Sequence, residues 1–141
     1  MSKKPHLTTE QADIIQAYIN QLRELMGLHR WDIYVAAKRA PKDARAAIHP
    51  ADGRAVAALS LCKGWLDSDP DDMRNDIVHE LIHVIHRDQT DLVRMVACEA
   101  IPKQAAYDVL WAAFRLATEV MVDHLASVIA PTMPLPDFAR A

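Results

Sequence analysis

The stretch His79-Glu80-Leu81-Ile82-His83-Val84-Ile85-His86 carries three imidazoles and one carboxylate within eight residues. Its first five residues have the H-E-x-x-H arrangement. That spacing has chemical meaning only on a helix, and the flanks supply one. Asp69 is a good N-cap and Pro70 suits the first helical position. Asp71 and Asp72 place negative charge in the first turn, where the helix dipole favours it. A helix is predicted from about Pro70 to about Arg87. His79 and His83 then share one face, with Cβ atoms roughly 5–6 Å apart. Both can reach one tetrahedral cation at Zn–N distances of about 2.0–2.1 Å. Glu80 projects beside the pair and can act as general base towards a water there. The same residues also fit a buried amphipathic turn with two hydrogen-bonded histidines. The capped helix and its apolar filling (Ile77, Val78, Leu81, Ile82, Val84, Ile85) favour the metal.

Around this helix the chain has room for little else. Its 141 residues suit a single domain spanning 1–141, and 51% hydrophobic residues suffice for a core. The formal net charge of −3 and pI of about 6.1 come without a basic stripe, so nucleic acid is not an expected partner. No apolar run has the length of a membrane span, and the N-terminus has no signal-peptide core, which leads to a cytoplasmic expectation. The two cysteines, Cys62 and Cys98, have apolar flanks and no C-x-x-C pairing. Two buried free thiols are expected.

Residues 1–7 read as a disordered arm. Thr8 and Gln11 offer a capping box, and Ile14, Ile15, Tyr18, Leu22, Leu25 and Met26 follow at helical spacing until Gly27. Trp31, Ile33 and Val35 then alternate with polar or small residues, as in a strand. A second strand is expected at Arg45 to His49. Pro50-Ala51-Asp52-Gly53 signals a tight hairpin, and a third strand runs from Arg54 to Cys62. Asp67, Asp69, Asp71, Asp72 and Asp76 cluster, but the calcium-loop pattern is missing; capping and dipole compensation account for them. Arg87 to Thr90 reads as a polar break, Asp91 to Ala100 as a short helix, and Lys103 to about Ile129 as a long helix apolar on most sides. Such a helix is expected to be buried on most sides. Pro131, Pro134 and Pro136 mark an extended tail, 131–141.

A catalytic zinc needs three protein ligands and an open position. Arg115, Glu119 and Asp123 form a narrow polar stripe on the long helix. It can be a solvated stripe with an Arg115–Glu119 ion pair. Alternatively Glu119 faces the metal and Asp123 orients a histidine from behind; His124, Asp123 and Glu99 compete with Glu119 as ligand. His86 lies about 10 Å along the axis from His79, too far to share the ion easily, and reads as a helix-end or cleft-lining residue.

The motif helix resembles the active-site helix of zincin metallopeptidases. Glu119-Val120-Met121-Val122-Asp123 resembles the E-x-x-x-D segment of the gluzincins. The short length is similar to minimal gluzincins and to metallopeptidase-like proteins carried by phages and mobile elements. The metzincin extension is absent, because His86 stands at its glycine position and Gln89 at its last histidine. The resemblance implies a zincin-like α+β fold: a small antiparallel or mixed sheet, then the motif helix packed on the long C-terminal helix. It implies Zn2+ held by His79, His83 and Glu119, with Glu80 as general base in peptide hydrolysis. A peptide or protein substrate would add to the edge of the third strand, at Ala55 to Leu61. Tyr107, His124 and Arg115 are candidate transition-state donors. The alternative is a zinc-stabilised binding or regulatory module that keeps the fold without cleavage. For the tail, with Met133, Leu135 and Phe138, the choice lies between an apolar clamp on the outside and a gate over the cleft.

Overall fold

The computed structural model describes residues 6–138. Helix α1 (Thr9–Leu25) starts on the expected capping box. The Thr8 hydroxyl accepts from the Gln11 backbone N–H, and the Gln11 side chain accepts from the Thr8 N–H. Its core face carries Ile15, Tyr18, Ile19 and Leu22. Gly27, at φ +76°, turns the chain out of the helix, a conformation glycine adopts without strain. Of the expected arm at 1–7, residues 1–5 lie outside the described residues. His6 lies against the body of the protein, its Nε2 2.9 Å from the Leu61 carbonyl oxygen, and Leu7 packs on the core.

Three strands follow: β1 (Asp32–Val35), β2 (Ala46–Pro50) and β3 (Val56–Leu61). They form one mixed sheet in the order β1-β3-β2. The Asp52-Gly53 hairpin pairs β2 antiparallel to β3, placing Ile48 opposite Leu59, while β1 runs parallel to β3. The expectation that β3 offers a free edge is therefore corrected: it is the central strand. Nor is the outer edge of β1 free. The Gln16 amide on α1 donates to the Ile33 carbonyl (2.7 Å) and accepts from the Val35 N–H (2.9 Å). The open edge belongs to β2. Bonds from Cys62 N–H to the Arg45 carbonyl and from Ala51 N–H to the Val56 carbonyl set the pairing phase. In that phase the backbone groups of Ala46, Ile48 and Pro50 face outward.

Helix α2 (Pro70–Ile85) follows a short 3-10 turn at Trp65–Asp67. Asp69 stands at the N-cap with extended backbone, although its side chain makes no capping bond. Of the acidic cluster, Asp76 is tied inward. It accepts from the buried Trp65 indole (3.0 Å) and pairs with Arg45 (3.0 Å). Met73, Ile77, Val78, Leu81, Ile82 and Val84 are buried. Helix α3 (Arg87–Ala100) begins with the residues expected as a polar break, so only His86 separates it from α2. Four helices and a small mixed sheet make an α+β fold. Among the described residues, no helix is long and apolar enough to cross a membrane.

Helix α4 (Gln104–Ile129) departs most from expectation. Only Val122 and Ala126 are buried, while Val109, Leu116 and Val120 are 72%, 69% and 64% exposed. Its C-terminal half packs on α2, and its N-terminal half meets little besides α3. Among the described residues, one face of the N-terminal half of an apolar helix thus has no cover. Cys98, on the outer side of α3, is exposed and Cys62 is half-buried; both are free thiols, so the expected pair of buried thiols is corrected.

The tail is a clamp. Phe138 packs edge-on against Tyr18 and tilted against Trp65, at centroid distances of 5.9 and 6.3 Å. The Tyr18 hydroxyl donates to the Pro134 carbonyl (2.8 Å), and Arg74 Nη1 donates to the Met133 carbonyl (3.0 Å). Removing the ring with Phe138→Ala should lower stability by about 1–3 kcal/mol in urea melts, below the full cost of a core Phe because the side chain is only partly covered. Burial pushes the Tyr18 hydroxyl above the usual phenol range, against the opposing charge of Arg74. The neutral hydroxyl is favoured in the folded state, so its contribution is present below about pH 10 and lost as pH rises further. Tyr18→Phe should flatten the loss of stability as pH rises above about 10; an unchanged slope there would remove Tyr18 from that linkage.

Candidate metal centre

On α2, Asp72, Asp76, His79 and His83 share one wedge. His79 and His83 point out of it towards α4, with side chains 18% and 21% exposed. Helix α4 presents Glu119 to both. Glu119 Oε2 lies 3.4 Å from His79 Nε2, and Oε1 lies 3.1 Å from His83 Nε2. The two Nε2 atoms are 3.2 Å apart. One ligand atom from each of the three residues falls within 4.8 Å of the others. Two donors each about 2.0–2.1 Å from a tetrahedral cation stand about 3.3 Å apart, which the histidine–histidine edge matches, while Glu119 meets the two nitrogens with different oxygens.

The protonation pattern points the same way. His79 Nδ1 lies 3.1 Å from Asp123 Oδ1. That carboxylate holds the ring proton on Nδ1 and turns the Nε2 lone pair inward. Burial lowers the His83 pKa, assisted by His79, His86 and Arg115 and opposed by Glu119. The lowered pKa of His83 favours an imidazole that can donate an electron pair. The donor set, two nitrogens and one oxygen, suits zinc.

Glu80 is buried, at 8% exposure, beside this triangle and outside it. Its Oε1 is 4.0 Å from His79 Nε2. Burial raises its pKa to about 7; Glu119 and Asp76 add to the rise, and a hydrogen bond from the Ile48 backbone opposes it. That bond comes from the outward side of β2, so Glu80 sits between the open strand edge and the histidines. These groups line one wall of a cleft of about 670 Å³. Across it, α4 contributes Trp111, Phe114, Arg115 and Thr118, and Arg87 closes one end.

Arg87 also ties the β2–β3 hairpin to α3, with Nη2 3.1 Å from Asp52 and Nε 2.6 Å from Asp91. His86 is at the end of α2, stacked on Phe114 at 6.2 Å and 3.1 Å from the Thr90 hydroxyl.

His79, His83, Glu80 and Glu119 are thus brought together. Among the described residues Arg115 forms no ion pair with Glu119; it faces the cleft instead. Of the candidate donors only Arg115 lines the cleft, since Tyr107 stacks on Trp111 at 6.3 Å and His124 is exposed elsewhere on α4. Among the described residues of the tail, 131–138, none lines the cleft, which leaves the gate without support. Sequence reasoning missed the cleft walls: the edge of β2, Arg87, and the ring pair Trp111–Phe114 at 5.6 Å. The i, i+3 spacing of those rings was their one local signal. No family model matches this chain, and comparison with curated proteins and solved structures finds no match.

The geometry predicts one divalent cation per chain. Calorimetric titration with zinc should saturate at one equivalent, His83→Ala should abolish it, and Asp123→Asn should weaken it about 10–100-fold. His124→Ala should bind as wild type. Loss of binding in His124→Ala with retention in Glu119→Ala would overturn the ligand assignment.

Proposed function

We propose that this protein is a zinc-dependent metallopeptidase of zincin type, with the two-histidine, one-glutamate arrangement of the gluzincins. The observation that carries the proposal is the convergence of His79, His83 and Glu119 beside a buried carboxylate, Glu80, on an open strand edge. Held by those three residues, zinc would polarise a carbonyl and acidify a water.

The remaining roles belong to the chain itself. Glu80 stands outside the ligand triangle, so its carboxylate is free to take a proton from water and deliver it to a leaving amine. An extended peptide can bond to the outward backbone groups of Ala46 and to the Ile48 carbonyl, which aligns its own carbonyl with the histidine face; the Ile48 N–H is held by Glu80. This role passes from β3 to β2 because β3 has strands on both sides. Arg115, on the opposite wall, carries positive charge to where a carbonyl oxygen would become negative. Structural zinc needs no such base, and the burial of Glu80 beside the site favours the enzyme over the non-catalytic module.

Glu80→Gln tests this reading. The amide is nearly isosteric but cannot accept the proton. Zinc content and circular dichroism should be unchanged, while cleavage of a mixed peptide library should fall by at least about 10²-fold. Undiminished cleavage would remove Glu80 from the role. Zinc-loaded wild type that binds peptide without cutting it would favour the module.

A further inference from the structure

We infer that α4 pairs antiparallel with α4 of a second copy of this chain, through Ala106, Val109, Ala113, Leu116 and Val120. These residues recur at steps of three, four, three and four. At 3.6 residues per turn they fall on one stripe about 80° wide. All five are exposed, and Val109, Leu116 and Val120 rank among the most exposed large apolar side chains of the described residues. The 3-4 repeat is that of a coiled-coil seam, whose natural occupant is another helix with the same repeat.

The occupant follows from size and charge. Small and large residues alternate, Ala106 and Ala113 against Val109 and Leu116. In an antiparallel pair crossing at residue 111, Ala106 meets Leu116 of the second copy, and Val109 meets its Ala113. Val109 and Leu116 then each have an alanine opposite, and the helices can approach closely there, while Val120 lies past the start of the other α4. An in-register parallel pair would set alanine on alanine and leave voids. The seam is flanked by Ala105, Ala112 and Ala117, without charge. Asp108 lies off the stripe and engages Gln104, while Arg115 faces the cleft. A neutral seam that complements itself selects its own copy. Pairing over these turns would bury on the order of 1,000 Å² in total, the lower limit for a specific interface. A weak, concentration-dependent dimer is therefore expected. Trp111, Phe114, Arg115 and Thr118 line the cleft from the other side of α4, so pairing leaves the cleft open.

Sedimentation of the full chain between about 1 µM and 1 mM reads the equilibrium directly. Wild type should pass from monomer to dimer within this range. Val109→Glu and Leu116→Glu should each remain monomeric, with wild-type circular dichroism and zinc stoichiometry because both positions are solvent-exposed. The direction of pairing is read by mixing V109C and A113C chains in a Cys62→Ala, Cys98→Ser background. The mixed disulfide should dominate. A wild type that stays monomeric throughout, or a dimer that survives both glutamates, would overturn the pairing. Predominant V109C self-crosslinking would overturn its antiparallel register.

Discussion

Helix α2 can lie in only one rotational setting. Ile77, Val78, Leu81, Ile82 and Val84 must be covered, and they occupy a face about 160° wide. A separate wedge holds Asp72, Asp76, His79 and His83, and it must meet polar partners or solvent. Asp76 meets Arg45 and the Trp65 indole. One turn further, the histidines meet α4. Turning α2 to bury the histidines more deeply would expose the aliphatic side chains, each worth about 1.5–3 kcal/mol of transfer free energy. The hydrophobic packing of α2 thereby aims the histidines, and the site inherits its rigidity from the core.

Helix α4 completes the site because its carboxylates come one turn apart. Glu119 closes the triangle, and Asp123 reaches the far nitrogen of His79. One helix supplies both the inner partner and the group that fixes the ring proton. The sheet contributes differently. Gln16 seals the edge of β1 with two hydrogen bonds, and β2 keeps the other edge open beside Glu80. Edge strands usually carry protection against pairing with other chains. Here Pro50 ends β2, and Arg87 holds the adjoining hairpin through Asp52, so the exposed edge is short.

What was legible in the residues was local. The capping box, the Asp-Gly hairpin and the motif helix with its proline start are each set by contacts within a few positions, and all three stand where the sequence puts them. Strand order was not legible. Val56 to Leu61 looks the same whether it lies at an edge or in the middle, because that depends on which segments return to it. The side chains of Glu119 and Asp123 were readable as a stripe on a helix whose other residues are mostly apolar. Trp111 and Phe114 were not, since an aromatic pair on such a helix looks like core until the neighbouring elements are placed.

The exposure of α4 shows why that last inference fails in general. Apolar composition states that a surface must be removed from water; it does not state which chain removes it. Among the described residues α2 covers only the C-terminal half of α4, because α2 ends at Ile85 and α3 then departs along its own axis. The N-terminal half therefore has two faces with different fates. One side stacks His86, Phe114, Trp111 and Tyr107 beside the cleft. The other presents alanines alternating with valine and leucine, a pattern with the period of helix pairing. Were that face merely the excess of an unusually apolar helix, its small and large residues would have no reason to alternate. Their order is the feature that separates a surface built for a second helix from one left uncovered.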